Sequence, residues 1–238
     1  RGETGEPPST VSALSIWQAM GYIHAARVLS DDSMHGTMFW WTPGSGKSIM
    51  IALLIDLLFH TDLDVFVIST PQNTRNNGLK ECVRSMLKFS PMFAKHNPPG
   101  DPKKDEKDEK ELIRRLRQRE PPILAKNFMS FRQFTTFCRD ARNSHKLKAA
   151  AVIIDESHEV FNNKVCKLDD FCRHVLDPLA SSLQSKVFTF TGTPGRTVKE
   201  ILFQLEMVRF AGGRVDHRYL QAGGSEESQD PCWKSLLC

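Results

Sequence analysis

The stretch Trp41-Thr-Pro-Gly-Ser-Gly-Lys-Ser48 constrains this chain more than any other feature. Closely spaced glycines reach backbone conformations that other residues resist, so consecutive N–H groups can turn into one concavity and hold phosphate oxygens. Gly44, Ser45 and Gly46 occupy that place. Lys47 supplies a compact positive charge for the β- and γ-phosphates, and Ser48 a hydroxyl for a magnesium ion. An apolar run precedes the turn and another follows it, which predicts a buried strand feeding a helix whose positive end faces the phosphates. In the longer G-x-x-x-x-G-K-[ST] pattern the first glycine would fall at position 41, where this chain has Trp41. Only the shorter G-x-G-K-[ST] core is satisfied.

Further along, Ala150-Ala-Val-Ile-Ile154 reads as an apolar strand, and Asp155-Glu-Ser-His158 follows where that strand should emerge. Ligands of open α/β sheets sit at this carboxyl edge. Asp155 would hold magnesium, directly or through water, and Glu156 would orient and deprotonate an attacking water. An acidic pair capping a strand is, by itself, more often a loop or helix cap than a catalytic pair. Behind a phosphate loop, it predicts an ATP–Mg2+ site able to hydrolyse its nucleotide.

The pattern of apolar runs predicts alternating elements. Helices are expected over 12–29, 48–60, 76–89, 130–142 and 168–183, and strands over 37–41, 65–69, 122–125, 149–154 and 187–190. Such alternation implies an α/β fold, a parallel sheet with helices on both faces. Residues 1–10 read as a disordered lead-in, 11–210 as one domain, and 211–238 as an irregular tail. Residues 97–120 open on Pro-Pro-Gly and continue as a dense mixture of Lys, Asp, Glu and Arg. Their opposite charges nearly cancel, which favours a solvated insertion, helical from Glu109, over a basic arm. Nucleic-acid contact through Arg114, Arg115, Arg117 and Arg119 is the alternative reading.

A formal charge of +4 permits contact with phosphates without arguing for it. The apolar run 49–59 is too short to cross a bilayer and contains Asp56. Cys82, Cys138, Cys166, Cys172, Cys232 and Cys238 show no C-x-x-C pairing, which argues against a zinc site and for thiols in a reducing, intracellular setting. Beginning at Arg1, the chain reads as a fragment, and its compartment (nucleus, cytoplasm or a viral setting) is not encoded.

Asp155-Glu-Ser-His158 resembles the D-E-x-H box of superfamily 2 helicases and translocases. Thr191-Gly-Thr-Pro194 resembles motif III in the T-G-T-P form of Swi/Snf-like and viral ATPases. Ser69-Thr-Pro-Gln-Asn-Thr74 sits where motif Ia does, Asn127-Phe-Met-Ser-Phe131 resembles the segment upstream of D-E-x-H, and Trp17-Gln18-Ala-Met-Gly-Tyr22 resembles the glutamine motif. The resemblance spans residues 15–206 and implies a RecA-like P-loop domain. It also implies that Gln18 hydrogen-bonds adenine and that His158 couples nucleotide state to Thr191 and Thr193. Thr70, Pro71 and Gln72 would approach a nucleic-acid backbone. Each has a plainer reading: a helix-surface amide for Gln18, a helix-start residue for His158, and ordinary turns for the threonines.

Motors of this resemblance pair two RecA-like domains, and the second supplies arginine fingers worth several orders of magnitude in rate. No Q-x-x-G-R-x-x-R pattern occurs here. The expected function is the first motor domain of an ATP-dependent helicase or translocase acting on DNA or RNA, weak or inactive as an isolated chain. The alternatives are a P-loop ATPase or kinase that ignores nucleic acid, and a degenerate nucleotide-binding module.

Overall fold

The computed structural model describes residues 14–70, 78–90, 92–93, 102–162, 164–193 and 195–209. The expected lead-in, the expected tail, Pro71, Gln72, Pro194 and the first part of the charged insertion lie outside these residues.

Among the described residues, five parallel strands form one sheet: β1 (Gly36–Trp40), β2 (Asp64–Ser69), β3 (Phe128–Ser130), β4 (Ala150–Asp155) and β5 (Lys186–Thr191). Their order is β1-β5-β4-β2-β3. The central strands β4 and β5 are buried along their whole length, as a parallel sheet covered on both faces requires. One face packs against α1 (Ile16–Ser30), α2 (Lys47–Leu58) and α3 (Gly78–Phe89) through Phe39, Val67, Ile153, Phe188 and Phe190. The other, through Phe66, Ile68, Val152, Ile154 and Val187, meets α5 (Phe131–Arg139), α6 (residues 168–180) and α7 (Val198–Arg209). This is the α/β architecture expected from the sequence, a parallel sheet with helices on both faces.

Several local expectations are corrected. Residues 122–125 are not a strand; the strand is Phe128–Ser130. Pro121 and Pro122 carry no N–H for a ladder, and the Ile123 N–H bonds back to Leu116 O. The chain first reaches β2 through a side chain, Asn127 Nδ2 donating to Val65 O at 2.7 Å. Main-chain pairing follows from Phe128. The insertion is helical as α4 (Pro102–Gln118), starting earlier than Glu109.

It is also anchored rather than merely solvated. Leu112 and Leu116 are buried, and Arg115 lies over the Phe93 ring, 4.7 Å from its centroid. Arg119 is buried and donates to the carbonyls of Phe59, Thr61, Leu63 and Pro121. Its guanidinium is therefore committed to the protein interior. The expected helix 168–183 contains a π-helical stretch, Cys172–Leu176, and stops at Ala180. Finally, α7 was not anticipated as an element.

Cys82, Cys138, Cys166 and Cys172 are buried free thiols. Desolvation pushes Cys82, Cys138 and Cys172 up to about 12, and Cys166 to about 11, so none is a ready nucleophile. Among the described residues, no helix is long and apolar enough to cross a membrane.

Candidate functional site

At the carboxyl edge of the sheet, β1 runs into the glycine turn and α2 begins at Lys47. Gly44 and Gly46 have φ of 81° and 88°, in the left-handed region that a side chain resists. A Cβ on Gly46 would also stand 2.1 Å from Gln18 Nε2, whereas one on Gly44 would meet nothing. The ladder between β1 and β5 continues into the turn, since Trp41 N–H donates to Thr191 O at 3.0 Å. Trp41 replaces the missing glycine with a packing role: its ring lies against Gly21 of α1 and edge-on to Phe39 at 5.5 Å.

Gln18 is buried, not a helix-surface amide. Its Oε1 accepts the Ser15 N–H at 2.9 Å, closing a capping box at the start of α1. Its Nε2 donates to Ser45 O at 3.4 Å. The residue therefore ties α1 to the phosphate loop.

The carboxylates arrive from the middle of the sheet. Asp155 ends β4 and is buried, its Oδ2 accepting from Ser69 Oγ at 3.1 Å. Sequence reasoning passed over Ser69 as a partner; a hydroxyl at the carboxyl end of an apolar strand was the available signal. Glu156 has φ 51° and ψ 52°, the only non-glycine residue at positive φ among those described. Such a backbone costs about 1–2 kcal/mol for an ordinary side chain, and observed outliers of this kind cluster at functional sites. Its side chain meets Lys47, with Nζ to Oε1 at 3.0 Å and the Lys47 side chain only 10% exposed.

His158 follows on a short 3-10 turn, Ser157–Phe161. Its Nδ1 is 3.0 Å from Thr191 Oγ1 and 3.5 Å from Glu156 Oε2. Thr191 Oγ1 donates to Thr193 O at 2.7 Å and accepts from Thr193 N at 3.1 Å. A hydroxyl has one proton. With it given to Thr193 O, His158 Nδ1 must be the donor in this arrangement. The imidazole thereby bonds to Thr191 and stands beside the Glu156 carboxylate. Thr70 follows directly on β2 at the same sheet edge, while Pro71 and Gln72 lie outside the described residues.

The residues fit a magnesium–nucleotide on two observations. Ser45 Oγ, inside the loop, is buried without a hydrogen-bond partner. Ser48, Ser69, Glu81 and Asp155 also line one cavity of about 130 Å³ beside the loop, so the hydroxyl and carboxylate proposed for magnesium face a common space. Magnesium is usually held by one or two protein oxygens together with substrate phosphates and water.

Residues 14–196 match the family described as "Type III restriction enzyme, res subunit". No curated protein matches the chain.

Proposed function

The chain belongs to the type III restriction enzyme res-subunit family, a superfamily 2 helicase-like domain of RecA fold, and from that premise we propose that it is the first motor domain of an ATP-dependent nucleic-acid helicase or translocase. The observation that carries this reading is the meeting of Lys47 and Glu156 at 3.0 Å, two residues far apart in sequence and brought together at the carboxyl edge of the sheet.

Gly44, Ser45, Gly46 and Lys47 would hold the phosphates, and Ser48 with Asp155 the magnesium. Magnesium and the triphosphate, when bound, supply the reactive γ-phosphoryl and neutralise the charge that develops on it. Lys47 would exchange its ion pair with Glu156 for the phosphates. Freed from that pair, the Glu156 carboxylate would take the proton of a positioned water. Asp155 is held in place by Ser69, and His158 would pass the state of Glu156 to Thr191 and Thr193. Gln18 would sense the loop through Ser45 and read the adenine edge with its remaining N–H and lone pair.

DExH chemistry of the Swi/Snf-like or viral type is favoured by Asp155-Glu-Ser-His158 together with Thr191-Gly-Thr193. A second RecA-like domain would complete the motor, and a chain lacking it would turn over slowly. The decisive measurement is ATPase activity of the longest natural form, with and without single- and double-stranded DNA and RNA. Lys47→Ala should abolish nucleotide binding, and Glu156→Gln should keep binding and stop turnover. Turnover untouched by Glu156→Gln would remove the proposed base. Turnover indifferent to nucleic acid would leave a P-loop ATPase of another kind.

A further inference from the structure

The left-handed turn at Glu156 is held from behind by α7. Ser157, immediately after Glu156, is fully buried and donates its hydroxyl proton to Gln204 Oε1 at 2.5 Å. Gln204 is itself fully buried, on the face of α7 that also buries Phe203 and Met207. Four residues after Ser157, Phe161 closes the same 3-10 turn and packs edge-on against Phe203, ring centroids 5.4 Å apart. Glu159 N–H donates to Glu156 O at 2.9 Å, tying the turn to the residue it follows. An amide at a core position of a helix is unfavourable unless its polar atoms are satisfied. An apolar side chain would pack there without that cost, so the glutamine calls for an explanation beyond filling space.

We propose that Gln204 is a positioning residue for Glu156, acting through Ser157, and that α7 is the brace that keeps the candidate base in its strained backbone conformation. The physical reason is over-determination. A non-glycine residue persists at positive φ only where the surrounding contacts outweigh the strain. Upstream, Asp155 is fixed by the end of β4 and by Ser69. Downstream, Ser157 and Phe161 are fixed by α7. With the downstream anchor gone, Glu156 can relax to a negative φ, which swings its carboxylate away from Lys47. A displacement of about 1 Å at a reacting group can cost up to about a hundredfold in rate. The role rests on the reading of Glu156 as the base, but the backbone effect does not.

The test places Gln204→Leu, Ser157→Ala and the double substitution in the longest natural form for turnover and nucleotide affinity, and in this chain for crystallography and thermal unfolding. In a crystal structure of Gln204→Leu without nucleotide, Glu156 should leave the left-handed region and its carboxylate should separate from Lys47. Turnover should fall by about tenfold or more, while affinity for a non-hydrolysable Mg–ATP analogue stays within about twofold. The double variant removes both ends of the Ser157–Gln204 bond, so it should recover part of the thermal stability that Gln204→Leu loses while turnover stays low. If Glu156 keeps its φ in the Gln204→Leu crystal, or if turnover recovers together with stability in the double variant, Gln204 is a packing residue and the proposal is wrong. Absence of turnover in the longest natural form, with nucleic acid present, would instead count against the motor reading, and the crystallographic comparison would still decide the brace.

Discussion

Thr191 Oγ1 lies 3.0 Å from His158 Nδ1, and the Thr191 carbonyl accepts the N–H of Trp41 at the mouth of the phosphate loop. One residue at the end of β5 therefore touches both the acidic segment and the glycine turn. In the sheet order β5 separates β1 from β4, so its last residue stands between the two halves of the site, which Lys47 and Glu156 also join directly.

That bridge can be cut without emptying the core. Thr191→Val keeps the shape and the carbonyl but removes the hydroxyl, leaving His158 Nδ1 and Thr193 N–H without that partner. Nucleotide binding should survive, with about 1–2 kcal/mol lost in stability. Nucleic-acid stimulation of ATPase in the longest natural form should largely disappear. Full stimulation in the variant would show that the His158–Thr191 contact carries no coupling.

The two glycines of the loop should respond unequally to alanine. Both sit at positive φ, so each substitution carries about 1–2 kcal/mol of backbone strain. At Gly46 the new methyl would also collide with Gln18 Nε2, while at Gly44 it meets open space. Gly46→Ala should therefore weaken nucleotide binding by about tenfold more than Gly44→Ala, equivalent to about 1.4 kcal/mol. Adding Gln18→Ala to Gly46→Ala should recover part of the loss. Equal affinities for the two single variants, measured by calorimetry, would refute the clash.

Two buried titratable groups pull stability in opposite directions with pH. Burial lowers the pKa of His35 from 6.5 to about 4, helped by the charge of Lys186. The unfolded chain takes up a proton there that the folded chain refuses, so stability falls as pH drops from about 6.5 towards 4. Burial raises the pKa of Asp56, against hydrogen bonds from Ser90 and Tyr22. Its contribution is fully present below the unfolded value of 3.8 and is lost as pH rises through the folded value. Denaturant titrations from pH 4 to 8 should show His35→Gln flattening the acid limb. Asp56→Asn should gain stability relative to wild type as pH increases. An unchanged pH dependence in both would contradict this account.

The arginines of the insertion should divide by burial. Arg119→Ala strips four carbonyls of their donor and should cost about 3 kcal/mol or more. Arg117 is exposed, and Arg117→Ala should stay within about 0.5 kcal/mol. If thermal unfolding ranks them the other way, the anchoring of α4 has been misread.

Much of the frame was legible in the sequence because its signals are local. Glycine at positive φ, a lysine and serine opening an apolar helix, and runs of Val, Ile and Phe each act over a few residues. The expected strand at 122–125 failed because two prolines removed ladder donors and Asn127 used its side chain to reach β2. The anchoring of α4 was hidden because a buried arginine looks, letter by letter, like an exposed one. Helix α7 escaped notice because Gln204 interrupts its apolar face, and that interruption makes sense only once Ser157 is placed against it.

By itself, then, the order of residues determined the α/β class, the glycine turn and the strands that end at Asp155 and Thr191. These follow from backbone freedom and apolar periodicity, which neighbours in the chain dictate. Only the tertiary structure decided that Lys47 meets Glu156, that Gln18 holds the loop, that Glu156 sits at positive φ and that Gln204 lies behind it. Those contacts join segments distant along the chain, and their geometry depends on strand order, which no local pattern encodes.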